Sequence, residues 1–493
     1  MSDLTGAGHD QDGPTGLPVD DNAAEAISGT YEKDTSAREG IGDKSVSMWS
    51  VYVRRFRKHT LGKIGLGLLA AMYLAALFAD VLSPFTMTWM NSRKPYHTPT
   101  RITWMYTRPD GSRTLRPFVY EQTITNIAFR EYGIVPERTI RAITIETRML
   151  ANELRAMSFD RDPAVRRTHL LTEVARHYRV PMTDPMMDGL AAAIERLEAD
   201  ADPDAVHRFS LGTRVVGEVE TELEMYLVKG NKNFIEFFGK GVVYSFLGLF
   251  DGHRRLVVAP TGGFFPLGTD HLGRDILSRL LHGSRLSLSV GLLGAAITFV
   301  IGLIIGGIAG YAGGRVDNAL MRMSEIVIAF PSFYLLLALR AAFPPNLTSV
   351  QVYLLIVIIL SLVGWAALAR IIRGMVLSIK TEDFVLAART LGLSHWKIIR
   401  KHVLPNTMSF VIVQLTLTIP SFILGESALS VLGLGISEPQ SSWGLMLSVA
   451  RQYRVVRDFP WILVPGFMIF LAILAWNFFG DGIRDSVDPR SKH

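Results

Sequence analysis

A chain of 493 residues that is 49% hydrophobic, with a mean hydropathy of +0.25, is more apolar on average than ordinary soluble proteins. A net charge of +6 is too small for this length to mark a nucleic-acid binder, so no nucleic acid is expected as a partner. The lack of cysteine excludes disulfides, thiolate catalysis, iron–sulfur clusters and Cys-ligated zinc.

Residues 1–47 hold ten Asp or Glu against three Lys or Arg, with many Gly, Ser and Pro. Such a composition cannot bury a core, and the segment reads as a disordered acidic tail without the basic-plus-apolar start of a cleavable signal. Residues 48–84 are a basic segment and a first span. Arg54-Arg55-Phe56-Arg57-Lys58-His59, with Lys63 close behind, precedes the apolar run Ile64–Leu82, whose only charge is Asp80. A run of about 20 apolar residues crosses the hydrocarbon core, and the basic cluster places the N-terminus in the cytoplasm.

Residues 85–265 contain no run long enough to cross. The longest, Gly241–Phe250, ends in Asp251-Gly252-His253-Arg254-Arg255. This stretch reads as a soluble α+β domain, extracytoplasmic by the topology. Thr103–Arg108 and Arg113–Tyr120 flank Pro109-Asp110-Gly111-Ser112, which predicts a hairpin. Ile140, Ile143, Thr147, Leu150, Leu154 and Met157 follow three- and four-residue spacing and predict an amphipathic helix. Asp162-Pro163 and Asp184-Pro185 each announce a helix, the second with a stripe of Met186, Leu190, Ala193, Ile194 and Leu197.

Residues 266–493 carry the remaining apolar runs: Leu286–Ala312, Ile326–Leu339 with Pro331 inside it, Val350–Ala369, Asn406–Leu424 with Pro420 near its end, and Phe459–Gly480. The expected fold is therefore an all-α polytopic membrane protein of six transmembrane helices, with the α+β domain inserted between the first two. Six crossings also put the C-terminus, Gly313–Arg322 and Arg370–His402 in the cytoplasm. The last of these carries Arg370, Arg373, Lys380, Arg389, Lys397, Arg400 and Lys401, in agreement with the rule for basic loops. Arg274, Arg279 and Arg285 would lie outside, with Asp270 and Asp275 offsetting part of their charge and the segment lying along the interface. Gly302, Gly306, Gly307 and Gly310 stand at small-residue spacing and predict close helix packing.

The connection 380–405 has an organisation of its own. Thr381 reads as an N-cap followed by Glu382 and Asp383, which suit a helix N-terminus. Phe384–Leu391 reads as a short helix stopped by Gly392. Ser394 opens a second short helix through His402, and Pro405 begins the next span. Two short helices joined by glycine make a rigid knob, with Ala387 and Ala388 leaving part of its face without bulk. On residues alone, an ordinary basic loop is the alternative.

Glu382-Asp383-Phe384-Val385-Leu386-Ala387-Ala388-Arg389-Thr390-Leu391-Gly392, followed by His402-Val403-Leu404-Pro405-Asn406, resembles the EAA loop of permease subunits of ATP-binding-cassette (ABC) importers. Leu386 stands where that family usually has Glu, with Glu382 and Asp383 one turn earlier. Leu267–Arg279 running into Gly283–Leu288 is similar to the C-type permease subunits of dipeptide and oligopeptide importers. So are Gly425–Ser430 with Gly433, and Gly480–Asp485 with Asp488-Pro489-Arg490. The resemblance covers the first span and about 268–490, and leaves the insert at 85–265 unexplained.

The resemblance implies a transport subunit rather than an enzyme, in a bacterial inner membrane. It would pair with a homologous permease as a heterodimer and receive substrate from an extracytoplasmic binding protein. Two ABC ATPase subunits would dock on it, binding the ATP and Mg; no cofactor is expected in this chain, which has no Gly-x-x-x-x-Gly-Lys-Ser/Thr loop. The implied coupling residues are Thr381, Glu382, Asp383, Phe384, Ala387, Ala388, Gly392, Trp396, Ile399, Leu404 and Pro405. Glu426, a carboxylate within a span, is a candidate for the translocation path, with a structural role in the bundle as the alternative. No metal site is expected: His271 with Asp270 and Asp275 reads as a turn beside Gly273. An importer of nickel or another small solute, an ion-driven secondary transporter and a membrane-anchored enzyme are the rival functions.

Overall fold

A computed structural model describes residues 48–137, 139–145, 155–158, 162–178, 181–183, 185–216, 219–344 and 346–487. The acidic tail 1–47, Thr147, Leu150, Leu154, Asp184 and Asp488-Pro489-Arg490 lie outside them. The chain divides into two units, Met1–Arg54 and Arg55–His493, and every contact discussed below lies within the second.

The helices in chain order are α1 (Met48–Lys58), α2 (Thr60–Leu77), α3 (Ala79–Leu82), α4 (Pro163–Tyr178), α5 (Pro185–Ala199), α6 (Ile276–Ala312), α7 (Gly314–Ala329), α8 (Ser332–Ala341) and α9 (Ser349–Ile379). They continue with α10 (Asp383–Thr390), α11 (His395–Val431), α12 (Trp443–Leu447), α13 (Tyr453–Asp458) and α14 (Pro460–Val487). Five of them, α2, α6, α9, α11 and α14, are long and apolar enough to cross a membrane, and α7 with α8 makes a sixth if the bent pair is one span. That pair bends by 86°. Pro331 has no N–H to give and forces Phe330 into extended backbone (φ −82°, ψ 133°), so the apolar run Ile326–Leu339 is split between α7 and α8.

The long helices meet through small residues. An added Cβ on Gly306 would come within 2.5 Å of the Ala369 carbonyl oxygen, and one on Gly310 within 2.8 Å of that of Arg373. The glycine ladder of α6 therefore lets α9 approach at backbone distance, as its spacing predicts. Gly62 and Gly65 of α2 do the same against Gly482, Ala475 and Phe479 of α14.

Between α2 and α6 the chain is rich in strands: β1 (Thr103–Thr107), β2 (Arg113–Tyr120), β3 (Gln122–Asn126), β4 (Glu131–Ile134), β5 (Ile140–Ile145), β6 (Arg155–Ser158), β7 (Val206–Val216), β8 (Val219–Lys229), β9 (Lys232–Phe234), β10 (Glu236–Phe237), β11 (Lys240–Phe246), β12 (Phe250–Arg254) and β13 (Val257–Val258). The expected hairpin is β1–β2, in register Thr107↔Arg113. A four-stranded antiparallel sheet, β6-β5-β8-β7, packs against α4 and α5. Its core joins Ile140, Ala142, Met225 and Leu227 to Leu170, Val174, Met187, Leu190, Ile194 and Leu197.

Among the described residues, the two ends of one expected helix are strands. Ile140 and Met157 belong to strands β5 and β6, paired as Arg141↔Met157 and Ile140↔Ser158. Ile140 and Ala142 face the helices while Ile143 packs with Tyr226 and Val228, an alternation of period two. The β-branched run Ile143-Thr144-Ile145 suits a pleated surface, and β8 supplies the pairing partner that no local spacing reveals.

The arginines near the start of the second long helix have partners. Arg279 and Arg285 lie in α6 itself, ahead of its apolar run. Arg274 pairs with Asp270 (2.7 Å) and Glu438 (2.8 Å), Arg279 with Glu438 (3.0 Å), and Arg285 with Asp80 (2.7 Å). Among the described residues Asp275 makes no such pair; its side chain accepts from the Ser278 N–H (2.7 Å) and caps α6. Asp80 lies in α3, beyond the break at Phe78, where His282 also reaches it at 3.0 Å.

Candidate functional site: the connection between α9 and α11

Lys380 ends α9 as its C-cap. The Thr381 hydroxyl turns back to donate to the Ser378 carbonyl (2.8 Å), so Thr381 is not the N-cap of the next helix. That position falls to Glu382, in extended backbone and without a side-chain cap bond. α10 then runs for two turns, Asp383–Thr390, and stops at Gly392 with φ +75°. This left-handed conformation costs a residue with a Cβ about 1–2 kcal/mol and costs glycine almost nothing. The Gly392 N–H donates to the Arg389 carbonyl (3.0 Å) and the Leu393 N–H to that of Ala388 (3.3 Å), which satisfies the last carbonyls of α10.

The second short helix is not a separate body. His395–Ile398 runs through a wide turn at Ile399–Val403 into Leu404–Val431, making one helical run, α11. Pro405 has no N–H, and the wide turn just before it absorbs the resulting slip in the hydrogen-bond ladder. Ser394 precedes this run in N-cap backbone but makes no side-chain cap bond. The free part of the knob is α10 with its glycine turn.

The two faces of α10 differ. Val385 and Ala388 are buried with Ile398, Ile399, Val403, Ile372 and Val376. Phe384, Leu386, Leu391 and Trp396 are 44%, 44%, 81% and 56% exposed, large apolar side chains on the outside of the knob. Of the expected coupling residues, Thr381, Glu382, Asp383, Phe384, Ala387, Gly392, Trp396 and Pro405 are at the surface. Ala388 and Ile399 face the chain's own core, and Leu404 packs against it, 3.1 Å from where a Cβ on Gly307 would sit. The small size of Ala388 thus lets α10 close on its own bundle.

Sequence reasoning missed what ties the knob to α6 and α7. Arg373 grips Asp317 with two bonds, Nε to Oδ1 at 2.9 Å and Nη2 to Oδ2 at 2.5 Å. Lys380 Nζ donates to the Gly310 carbonyl (3.0 Å) near the end of α6, where a cation suits the helix dipole. Tyr311 Oη lies 3.1 Å from His395 Nδ1, and the Arg389 guanidinium lies 5.6 Å from the Tyr311 ring centre. These cations carry the orientation signal in the sequence, and nothing local indicates that they also have partners on other helices.

Glu426 is fully buried. Ser430 Oγ donates to its Oε1 at 2.7 Å, and Ser427 Oγ lies 3.4 Å from Oε2. Its carboxyl therefore points into the bundle among serines. Near α6, Asp270 accepts from the Leu272 N–H (2.9 Å) and the Arg274 N–H (3.0 Å), which closes the turn read from Gly273.

The described residues form a polytopic helical bundle of the membrane class, with a short surface helix held between two long ones. Residues 302–493 match the family described as binding-protein-dependent transport system inner membrane component, and residues 47–99 match the N-terminal TM domain of oligopeptide transport permease C. The chain is 44% identical over 223 residues to the dipeptide transport system permease protein DppC of Bacillus subtilis, covering 45% of this chain and 68% of that one. It is 43% identical over 241 residues to the oligopeptide transport system permease protein OppC of Haemophilus influenzae, covering 48% and 75%. Against OppC of Escherichia coli K12 the identity is 40% over 233 residues, covering 47% and 74%. Among solved structures, an inward-facing MetNI methionine ABC transporter aligns at 19% identity and a TM-score of 0.35, covering 43% of this chain and 96% of that one. The chain belongs to the family of binding-protein-dependent transport system inner membrane components; it is a membrane-embedded permease subunit of an ABC transporter and not itself an enzyme.

Proposed function

We propose that this chain is the C-type permease subunit of an importer for peptides, and that α10 with its glycine turn receives the ATPase stroke. The peptide class is supported by the relatives named for dipeptide and oligopeptide transport. The observation that carries the coupling role is that α10 exposes Phe384 and Leu386 while its Val385 and Ala388 are anchored in the bundle, with Leu391 and Trp396 exposed just beyond it. An ATPase that covered these side chains could push α10, and the Arg373–Asp317 and Lys380–Gly310 contacts of α9 would pass the displacement to α7 and α6. The long helices would then rock between outward and inward openings. ATP and Mg belong to two partner ATPases, a homologous permease completes the path as a heterodimer, and a binding protein delivers substrate. Glu426, enclosed among serines, would hold the bundle end together rather than touch cargo.

In this reading α7 and α8 together make the third of six spans, both termini lie in the cytoplasm of an inner membrane, and 85–265 is extracytoplasmic. Protease added to intact spheroplasts should then cut within 85–265. Cleavage that required permeabilised cells would reverse the topology.

Three substitutions test the coupling. Gly392→Val places a β-branched residue at φ +75° with no neighbour in the way, so its effect is backbone strain alone. Transport and coupled ATPase activity should fall while membrane insertion stays normal. Ala387→Trp adds bulk to the exposed face and should weaken recovery of the ATPases about tenfold, equal to roughly 1.4 kcal/mol. Leu386→Glu restores the commoner family residue at an exposed site and should be tolerated. Equal indifference to all three would remove the coupling role.

A further inference from the structure

The apolar run Gly241–Phe250 takes no part in the site above. It forms most of β11 and the tip of the β11–β12 hairpin, paired as Phe246↔Phe250 at the tip and Lys240↔Arg254 at the base. Leu247, Leu249 and Phe250 are 46%, 76% and 63% exposed, while the stem carries exposed Lys240, Asp251, His253 and Arg254. Leu247 also has φ +50°, beside Gly248 at +75°. Turns of this kind ordinarily take Asn, Asp or Gly at such positions. A leucine there is held at a conformational cost while much of its side chain stays exposed.

The stem is firmly held. Arg255, just past β12, is buried and donates to the carbonyls of Asp80, Ser83, Phe85 and Val242 at 2.8–3.3 Å. Burial pulls its guanidinium down to about 10, which leaves it charged at neutral pH. This clamp fixes the hairpin to the end of α2–α3. There the Phe246 ring lies 6.0 Å from that of Phe78. Phe78 is itself 43% exposed and continues the outward apolar face of Leu74 and Leu77 on α2, a helix apolar enough to cross the membrane.

We infer that the β11–β12 hairpin is a membrane-interface anchor, its tip seated in lipid where the first membrane helix ends. The occupant is the bilayer because the tip's apolar surface continues that of a membrane helix through Phe78 and Phe246. Apolar and aromatic side chains are favoured at the boundary between headgroups and acyl chains. Asp251, one residue past Phe250, limits the depth to that boundary.

The chain has no cysteine, so Leu249→Cys gives it one labelling site, at an exposed position where packing is not disturbed. The full chain, assembled with cysteine-free partner subunits in phosphatidylcholine–phosphatidylglycerol nanodiscs, would carry a nitroxide there. Collision with oxygen, which concentrates in lipid, is compared with collision with a water-soluble nickel chelate. Leu74→Cys on α2 is the lipid reference, and Ser112→Cys at the polar β1–β2 turn is the water reference. The oxygen-to-nickel ratio at position 249 should be severalfold above that at 112 and approach that at 74. A ratio like that at 112 would overturn the anchor. So would low collision with both reagents, which would mean that a protein surface covers the tip. Leu247→Cys repeats the measurement independently.

Discussion

Glu121→Gln is expected to destabilise the insert by about 3–5 kcal/mol, enough to expose it to proteolysis at growth temperature. Glu121 is fully buried between β2 and β3. Its carboxylate meets Lys94 Nζ at 2.5 Å and Arg141 Nη1 at 3.3 Å, and accepts from Asn233 Nδ2 at 2.6 Å. Asn233 in turn accepts from Arg141 (2.8 Å) and Thr261 (2.7 Å). The network joins Arg141 of the four-stranded sheet to Asn233 of the three-stranded one. Through the Lys94 carbonyl, which accepts from Thr269 Oγ1 at 2.6 Å, it also reaches the turn before α6. Neutralising Glu121 removes the carboxylate that buried Lys94 and Arg141 share, and the desolvation cost of these cations is repaid less well. Limited proteolysis and the thermal unfolding midpoint of the purified full chain measure the loss. Lys94→Met added to Glu121→Gln removes one of the stranded cations and should restore part of it. A single variant as resistant as the parent would show that the network is not needed.

Gly306→Leu should prevent assembly of the bundle. Even a methyl group there meets the Ala369 carbonyl oxygen at 2.5 Å and Ile372 Cβ at 2.9 Å, and backbone cannot move aside as a side-chain tip can. Overpacking costs about 1–3 kcal/mol where side chains can yield, and more where two backbones must separate. Gly310 makes the same backbone approach to the Arg373 carbonyl, and Gly302 packs against the Leu368 side chain, so separation at Gly306 breaks the whole seam. Gly67→Leu on α2 is the matched control, since a Cβ at Gly67 meets nothing within 4 Å. Expression in membranes and the size-exclusion profile in detergent should be near normal for Gly67→Leu. For Gly306→Leu they should show aggregation or degradation. Normal assembly of the Gly306 variant would mean that the α6–α9 contact is not the seam that holds the bundle.

The apolar runs, the Asp-Pro helix start at 162–163, the β1–β2 turn and the glycine ladder were all legible in the sequence. Each is a local signal: about 20 residues of hydropathy, a cap within one turn, a spacing along one helix. The EAA-like segment was legible as well, down to the stop at Gly392, because a helix of two turns with its punctuation is local too. What tertiary structure decided is what each element meets. Residues 140–157 have a spacing compatible with a helix, and β8, far along the chain, pairs with β5 and makes it a strand. Arg274, Arg279, Arg285 and Arg373 count as charges in the sequence, and Asp270, Glu438, Asp80 and Asp317 make them ion pairs only in the folded chain. The two alanines of the knob are equivalent by composition, yet Ala387 faces out and Ala388 is buried against the bundle. Hydropathy and capping act over a few residues and can be read along the chain. Burial, charge pairing and strand pairing are set by neighbours brought in from distant segments, so only the assembled fold decides them.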